Sequence, residues 1–376
     1  MTTTTIRNDQ RGLHSQALDL LRFPLALIVV AAHAIPILNM GDIFFGKAYN
    51  FESYPICVSF FNFFFAFFRR QSVPIYFFIS GYVFFLNVDS FTKDKYFQKI
   101  KNRINTLLIP YLAWNTIAIV CFLIINLPNI LQTDAINTHW FFSAYWIYDG
   151  NFLITPNGRG TCDPIIGPLW FLRNLMIVVL ATPVIYAIVK KFKHYPSLFL
   201  GAIWLYIRVC KPDYINIDRL ITSFFFFSWG AQLSILKKDL VYSFSRFSKP
   251  MYAGYLFLGG GYLIFSYHHP FVANIFKQVS FLLGPPVAFN LAFWLLKNGK
   301  ITTKKSLSAT GFFIYASHML IMDRILGITS RFASTDLGVL LSIIFAIVST
   351  ISILLIIYWV LKRLFPPLLT ILTGRK

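Results

Sequence analysis

The chain has 376 residues, of which 57% are hydrophobic and only 13% are charged. Its mean hydropathy of +0.63 excludes a soluble globular domain and predicts an integral membrane protein. The formal net charge of +20 does not indicate a nucleic-acid partner, because the Lys and Arg residues form short clusters at the ends of apolar runs instead of one basic domain.

The apolar runs are too long for barrel strands and predict transmembrane helices. A polar N-terminal tail of residues 1–16 comes first, and no small-residue cleavage pattern follows the first apolar run. The ten candidate spans are residues 18–38, 57–88, 104–125, 168–189, 196–210, 219–236, 250–266, 274–296, 307–327 and 337–361. We therefore expect residues 1–376 to form one domain, an all-α polytopic transmembrane helical bundle.

The basic clusters predict how the spans are oriented. They lie within residues 7–11, 93–103, 190–193, 237–249, 297–305 and 362–376. These clusters fall on every second connection, so the positive-inside rule places them and both termini in the cytoplasm. The connection of residues 126–167 then lies outside, and a loop of this length in a compact bundle is usually functional or disordered.

The second apolar run is too long for one straight crossing and is interrupted by two arginines and by Pro74. Because the charge pattern allows only one crossing here, residues 73–87 are predicted to cross and residues 57–68 to form a short outer helix. Within the crossing, the small pair Ser80-Gly81 predicts close helix packing rather than a nucleophile.

Two polar residues, Arg22 and His33, interrupt the first span, "LDLLRFPLALIVVAAHAIPIL". At about 100° per residue they lie on nearly the same helix face, roughly 16 Å apart along the axis, so they could line one channel. In a functional interpretation Arg22 binds an anionic donor and His33 acts as a general base or carries the transferred group. In a structural interpretation, Arg22 pairs with Asp19 and extends to the lipid headgroups, and His33 forms a hydrogen bond to a neighbouring helix.

The first helix, "LDLLRFPLALIVVAAHA" (18–34), resembles that of the acyltransferase-3 family of bacterial membrane acyltransferases, whose hallmark is an Arg, ten residues and a His. The further blocks, in the family's order, are "RRQSVPIYFFISGYVFF" (69–85), "RINTLLIPYLAWN" (103–115), "GPLWFLRNLMIVVL" (167–180), "FFFFSWGAQLS" (224–234) and "GFFIYASHMLIM" (311–322). The resemblance spans nearly the whole chain. It implies a multi-pass protein of the bacterial inner membrane, surrounded by membrane lipids.

The resemblance also implies an activity. It is the transfer of an acyl group, commonly acetyl, from cytoplasmic acyl-CoA such as acetyl-CoA to a hydroxyl of an envelope polysaccharide or glycolipid. His33 matches the family's catalytic histidine, and Arg22 matches its paired arginine.

Arg103 matches the first position of a cytoplasmic Arg-x-x-Arg element that is thought to contact the donor in this family. The second position here is Thr106, which departs from the pattern. Lys99 and Lys101 lie about one turn or less from Arg103 and are further candidates for a CoA phosphate. The alternative is that these cations are ordinary topology signals.

Candidate acceptor contacts lie on the predicted outer side. Arg70, at family-like spacing, would orient the acceptor or stabilise an oxyanion; contact with headgroups is the alternative. Arg173 and Trp170 begin the fourth span. They are candidates for acceptor contact, and the alternative is that they anchor the helix in the aromatic belt. Trp146 belongs to the aromatic and acidic residues of 126–167, which suit either a sugar ring or an interface belt.

The remaining histidines and the cysteines carry weaker signals. His318 lies mid-span and is expected either to be neutral and hydrogen-bonded or to belong to a polar path. His268 and His269 have no companions at metal-ligand spacing, and we expect a solvated turn. No metal or redox site is predicted from the four cysteines, although Cys57 and Cys162 share the outer side and a disulfide between them stays open.

A transporter or flippase for a lipid-linked sugar is the competing hypothesis. Intramembrane charges would then line a substrate path without covalent chemistry, and the helix breaks predicted near Pro74 and Pro285-Pro286 are compatible with it. Consumption of a CoA thioester distinguishes the two classes. A scaffold that has lost catalysis is a third possibility, which the retention of both Arg22 and His33 disfavours.

Overall fold

The structure, a computed structural model, is almost entirely helical. It describes residues 3–35, 43–44, 47–48, 54–69, 71–130, 138–146, 163–210, 215–303, 305–329, 331 and 335–374. Two short strands, β1 (Ile43–Phe44) and β2 (Lys47–Ala48), pair antiparallel.

Each predicted span falls on one helix or, for residues 57–88 and 168–189, on two, so the all-α class is confirmed. The α-helices of the described residues are α1 (Thr3–Ala34), α2 (Pro55–Phe67), α3 (Ser72–Phe85), α4 (Lys93–Arg103), α5 (Ile109–Ile130), α6 (Thr138–Trp146), α7 (Trp170–Leu180), α8 (Thr182–Phe192), α9 (Tyr195–Cys210), α10 (Ile215–Ile235), α11 (Leu240–Ser245), α12 (Ser248–Phe265), α13 (Pro270–Lys297), α14 (Lys305–Thr329), α15 (Asp336–Leu364) and α16 (Pro366–Thr373).

Several of these helices are long and apolar enough to cross a membrane. Within the described residues there are five: Leu13–Ala34, Lys93–Asn126, Pro270–Lys297, Ser306–Thr329 and Asp336–Leu364. The bent pair α7 and α8 makes a sixth if it counts as one span. The chain is therefore a multi-pass membrane protein, and the other predicted spans coincide with helices that fall short of this standard of length and hydropathy.

The span predicted at residues 168–189 is not one straight helix, because α7 and α8 meet at an angle of 60°. Pro183 lies in the first turn of α8 and has no N–H to donate to the carbonyl of Val179. The hydroxyl of Thr182 donates to that carbonyl instead, at 2.6 Å. A proline and a substitute hydrogen bond thus account for the bend.

The predicted break in the second apolar run is confirmed, since α2 and α3 are separate helices. Pro74 lies in the first turn of α3, where its missing N–H is tolerated. The N-terminus of α2 is fixed by a distant residue, because the N–H groups of Ile56 and Cys57 donate to the carboxylate of Asp336 at 2.7 and 2.9 Å. A carboxylate at this position also complements the helix dipole.

Four segments differ from the sequence-based expectation. No helix break occurs near Pro285-Pro286, because both prolines lie inside the continuous helix α13. The N-terminal tail is helical from Thr3 and continues into the first span. The outer connection, residues 126–167, holds the last turn of α5 and the whole of α6 among its described residues. The C-terminal basic cluster, residues 362–376, contains α16, which was not predicted.

The predicted close packing at Ser80-Gly81 occurs between α3 and α10. A Cβ built on Gly81 would lie 1.9 Å from the carbonyl oxygen of Phe227, and one on Gly230 would lie 2.0 Å from that of Phe78. The two backbones therefore touch, which only glycine permits. The helices run parallel, since Asp89 and Lys237, just past their C-terminal ends, form an ion pair at 2.6 Å.

Helices α1 and α14 also pack in parallel, and they position the candidate site. Near one end, a Cβ on Gly311 would lie 3.2 Å from the carbonyl oxygen of Arg22. Further along both helices, the rings of His33 and His318 are neighbours, with centroids 5.2 Å apart. The two helices thus connect the region of Arg22 with a pair of histidines.

Candidate functional site

A cavity of about 310 Å³ opens beside Arg22. Residues from α1, α3, α7 and α14, from the turn between α4 and α5, and from the C-terminal end of α16 line it. Its polar lining residues are Arg22, Tyr76, Ser80, Arg103, Thr106, Ser308, Tyr315 and Thr373. The cavity therefore brings together Arg22 and Arg103, two arginines that the sequence marks as donor contacts but places 81 positions apart.

Arg22 makes contacts that fit both interpretations drawn from the sequence. Its guanidinium Nη1 lies 2.6 Å from Oδ1 of Asp19, the predicted i,i+3 partner, and it also lines the cavity. The phenol of Tyr76 donates a hydrogen bond of 2.7 Å to its backbone carbonyl. Arg22 is thus a partly neutralised cation held at the cavity wall.

Arg103 is placed at the cavity by an irregular turn. It is the last residue of α4, and a π-helical turn over Ile104–Leu108 joins α4 to α5. A π-helical turn shifts the register of the helix faces and is frequent at functional sites. It puts both Arg103 and Thr106 on the cavity wall, and the Thr106 hydroxyl donates to the carbonyl of Asn102 at 2.9 Å.

The charge of Arg103 is not offset by an acid. Among the described residues it has no carboxylate partner, and its guanidinium carbon lies 5.8 Å from the centroid of the Phe84 ring. The ammonium of Lys99 lies 5.1 Å from the same ring, close to Arg103 but not on the cavity wall. Lys101 is exposed and also does not line the cavity. Of the three predicted basic contacts, only Arg103 lines it.

The C-terminal helix completes the cavity wall, which no sequence signal indicated. The indole of Trp114 donates to the carbonyl of Leu372 at 2.9 Å and holds α16 against α5. Gly374 follows with φ +65°, and a Cβ built on it would lie 2.6 Å from Cα of Thr106. A glycine is required here both by the left-handed backbone and by the approach to the π-helical turn.

His33 lies in the last turn of α1, outside the cavity lining. Arg22 and His33 therefore do not share this cavity, although they share a helix. Tyr315 lines the cavity and His318, one turn further along α14, contacts the His33 ring. The Nδ1 of His33 lies 2.8 Å from the carbonyl oxygen of Val29. Because a carbonyl can only accept, Nδ1 carries the proton and Nε2 of the neutral ring is a free base.

Charged groups from distant segments surround His33. Asp163 and Arg219 form an ion pair, and the guanidinium carbon of Arg219 lies 4.9 Å from the centroid of a Trp170 ring. The charges of Arg69, Asp163 and Arg219 all act on the His33 ring. The sequence analysis missed Arg219. The available signal was the adjacent charged pair Asp218-Arg219 at the start of the sixth span, on the predicted outer side, where the positive-inside rule does not account for an arginine.

The predicted acceptor contacts are partly brought together. Arg173 is only 6% exposed, and its Nη1 donates to the Trp146 carbonyl at 2.5 Å, with the guanidinium carbon 5.5 Å from the Trp146 ring centroid. Arg173 thus ties α6 to α7 and does not sit at the surface as a belt anchor. Trp170 lies beside Arg219 instead. Arg70 lies outside the described residues.

The remaining sequence expectations concern cysteines and outer histidines. Cys57 is buried, and burial raises the pKa of its thiol to about 12, so the thiol is protonated at neutral pH. A disulfide between Cys57 and Cys162 stays open, because Cys162 lies outside the described residues. His268 and His269 are exposed, as expected for a solvated turn.

Comparison with known proteins identifies the family. The profile of the acyltransferase-3 family, described as an acyltransferase domain, matches residues 15–361. The chain belongs to this family. The resemblance inferred from the six blocks is therefore confirmed, and the cavity and the histidine pair lie in a membrane acyltransferase domain.

A curated relative is the succinoglycan biosynthesis protein ExoH of Rhizobium meliloti (strain 1021). It is 27% identical to the chain over 193 residues, which are 50% of this chain and 46% of the relative. The match thus spans about half the length of that relative. The search of solved structures found no match.

Proposed function

We propose that this protein transfers an acyl group, with acetyl as the simplest candidate, from cytoplasmic acyl-CoA to a hydroxyl of an envelope polysaccharide or glycolipid. Membership of the acyltransferase-3 family supports the reaction class. The printed name of the relative ExoH, a succinoglycan biosynthesis protein, supports a polysaccharide acceptor. The bacterial inner membrane is the location that this combination of donor and acceptor requires.

The observation that carries the proposal is the pair of arginines at one cavity. Arg103 has no carboxylate partner among the described residues, and Arg22 lies on the same wall. Guanidinium groups bind phosphate oxygens by charge-assisted, often bidentate hydrogen bonds. In this proposal the phosphates of acetyl-CoA or another acyl-CoA bind at Arg22 and Arg103, and Lys99 and Lys101 add positive charge nearby.

The proposed chemistry centres on Nε2 of His33. The thioester extends from the cavity along α14 toward this nitrogen, which removes the proton from the acceptor hydroxyl while its oxygen attacks the acyl carbon. The C–S bond breaks, and the departing thiolate takes up the proton to leave as CoA. In the alternative sequence of steps, Nε2 first accepts the acyl group itself and then passes it to the hydroxyl.

The proposed acceptor enters from the side opposite to the donor. Trp170 offers an aromatic face for a sugar ring beside the Asp163–Arg219 pair, and Arg70, Arg173 and Trp146 are the further candidates. Stacking and hydroxyl hydrogen bonds would hold the acceptor within reach of His33.

This direction of transfer rests on a bundle of ten spans with both termini in the cytoplasm. In such a bundle the first and ninth spans must be parallel, as must the second and sixth. Helices α1 and α14, and helices α3 and α10, are parallel in the structure, which supports the arrangement. Arg22 then lies toward the cytoplasmic donor and His33 toward the outer acceptor.

Release of CoA thiol by the purified protein tests the proposal. The protein would be reconstituted with acetyl-CoA and an envelope glycan fraction, and free thiol would be measured together with label transfer to the glycan. We expect His33→Ala to lose at least about 100-fold in rate, the usual contribution of a general base. His268→Ala, which changes an exposed histidine in the outer turn, should retain the wild-type rate.

Full activity of His33→Ala would contradict the mechanism. A wild-type protein that moves a lipid-linked sugar across vesicles but releases no thiol from any acyl-CoA would instead establish the transporter alternative. Mass spectrometry of envelope glycans with and without the gene identifies the acyl group and the acceptor.

A further inference from the structure

His318 is a second histidine at the candidate site, and the proposed reaction gives it no role. It is 0% exposed in the middle of α14, and its ring centroid lies 5.2 Å from that of His33, with the ring planes 56° apart. The two residues are 285 positions apart in the sequence. Their contact depends entirely on the parallel packing of α1 and α14.

The hydrogen bonds of the two rings fix the same tautomer in both. The Nδ1 atoms lie 2.8 Å from the carbonyl oxygens of Val29 and Tyr315, respectively, and these oxygens can only accept. Each neutral ring therefore carries its proton on Nδ1 and has a lone pair on Nε2. In this state neither of the two neighbouring rings has an N–H on Nε2 to donate to the other.

The Nε2 atom of His318 is buried and has no hydrogen-bond partner among the described residues. Leaving a buried polar atom unpaired costs about 1–3 kcal/mol. Such a cost is tolerated at a site where a partner arrives during function. The neighbouring His33 gains an Nε2–H as soon as it removes a proton, and it is then the donor that His318 lacks.

Among the described residues, no carboxylate serves as the acceptor for the Nε2–H of His33. The charge of Asp163 acts on His33, but its carboxylate is engaged by Arg219. Arg69 and Arg219 add positive charge, which opposes an imidazolium at His33. A neutral hydrogen-bond acceptor beside the His33 ring would offset both the lack of a free carboxylate and the repulsion by the two arginines.

We propose that His318 is the positioning residue of His33, whose Nε2–H it accepts as a hydrogen bond once His33 has taken the proton of the acceptor hydroxyl. This inference rests on the proposed acyl transfer. The hydroxyl O–H bond breaks as the new C–O bond forms, and the proton moves to Nε2 of His33. The hydrogen bond to Nε2 of His318 holds that proton until the thiolate from the broken C–S bond takes it up.

Electrostatics limit the pair to one proton. Two imidazolium ions about 5 Å apart, in a medium less polar than water, would repel each other strongly. His318 therefore stays neutral and remains an acceptor while His33 is charged. A hydrogen bond to a charged donor is roughly twice as strong as a neutral one, so it stabilises the state that the reaction must pass through.

Three variants of His318 test this role in the reconstituted assay. Phe fills the site with a ring but removes the acceptor, Gln restores an acceptor near the Nε2 position, and Ala leaves room for imidazole from the buffer. We expect His318→Phe to lower kcat about 100-fold with no change in KM for acyl-CoA. His318→Gln should recover at least about tenfold of that loss, and imidazole should restore activity to His318→Ala.

A matched control is His14→Phe, which replaces another buried histidine, one that contacts Tyr82 and Asp239 and does not line the cavity. It should keep the wild-type kcat. The inference is overturned if His318→Phe retains kcat within about threefold, or if neither Gln nor imidazole restores the activity of a folded variant. If the wild-type protein releases no CoA thiol, the proposed function itself fails, which is a different outcome.

Discussion

At the scale of single residues, the two arginines of the cavity differ in their partners. Arg22 shares its charge with Asp19, whereas Arg103 lies beside the Phe84 ring and has no carboxylate partner among the described residues. A phosphate that binds Arg22 must compete with a carboxylate already in place. At Arg103 a phosphate meets no competing carboxylate among the described residues, so Arg103 should contribute more to donor affinity.

The first prediction follows from this difference. Arg103→Gln should raise KM for acyl-CoA about 10-fold or more, because hydrogen bonds to a charged group contribute roughly 1.5–3 kcal/mol. The kcat value should change much less, since Arg103 lies far from the acyl carbon. Steady-state kinetics of CoA release measures both quantities.

Lys101→Gln is the matched control, since Lys101 carries the same charge on the same helix but is exposed and off the cavity wall. Its KM should stay within about twofold of wild type, as is usual for an exposed charge. Equal effects of the two substitutions would mean that only the general positive charge of the region matters, and the cavity would then not be the phosphate site.

At the scale of secondary-structure elements, the cavity depends on three irregularities. The π-helical turn turns Arg103 and Thr106 to the cavity, the bend before Pro183 separates α7 from α8, and the left-handed Gly374 ends α16 against Thr106. Regular helices at the same positions would point other side chains inward. The cavity is thus built where helix geometry breaks.

The close approach of Gly374 to Thr106 leads to a second prediction. Gly374→Ala places a Cβ 2.6 Å from the Thr106 Cα, so the turn that presents Arg103 must shift. We expect a clear rise in KM for acyl-CoA together with a loss of stability. Kinetics and thermal unfolding of the purified variant measure the two effects.

Gly299→Ala separates the two causes. Gly299 has the similar φ of +61°, but a Cβ there meets nothing within 4 Å. Both variants pay about 1–2 kcal/mol for the left-handed backbone, and only Gly374→Ala should also change KM. A similar KM in the two variants would show that the end of α16 does not shape the donor site.

At the scale of the whole molecule, the sequence predicted the helices of the apolar runs but not how the helices meet. Apolar runs and charge clusters depend on local composition, so the ten candidate spans coincide with helices. The contact between His33 and His318 depends on packing between segments that are distant in sequence, and it has no local signal. Arg103 was marked as a donor contact only through a family motif, and α16 was missed because it lies past the last long apolar run.

The orientation of the bundle gives a third prediction. In a variant whose four cysteines are replaced by Ser, a new cysteine at His268 should react with a membrane-impermeant maleimide in spheroplasts. One at Lys238 should react only after the membrane is opened. Both positions are exposed, so access and not burial decides the result. Labelling of Lys238→Cys in intact spheroplasts would reverse the topology and the proposed direction of transfer.

The unequal exposure of the two histidines bears on inhibition. The His33 side chain is exposed, while that of His318, 5.2 Å away, is fully enclosed. An electrophile shaped like the acyl end of the donor can therefore reach one imidazole and not the other. A covalent inhibitor would modify a single, identifiable nitrogen, and tryptic mapping of the adduct would locate it on the first helix.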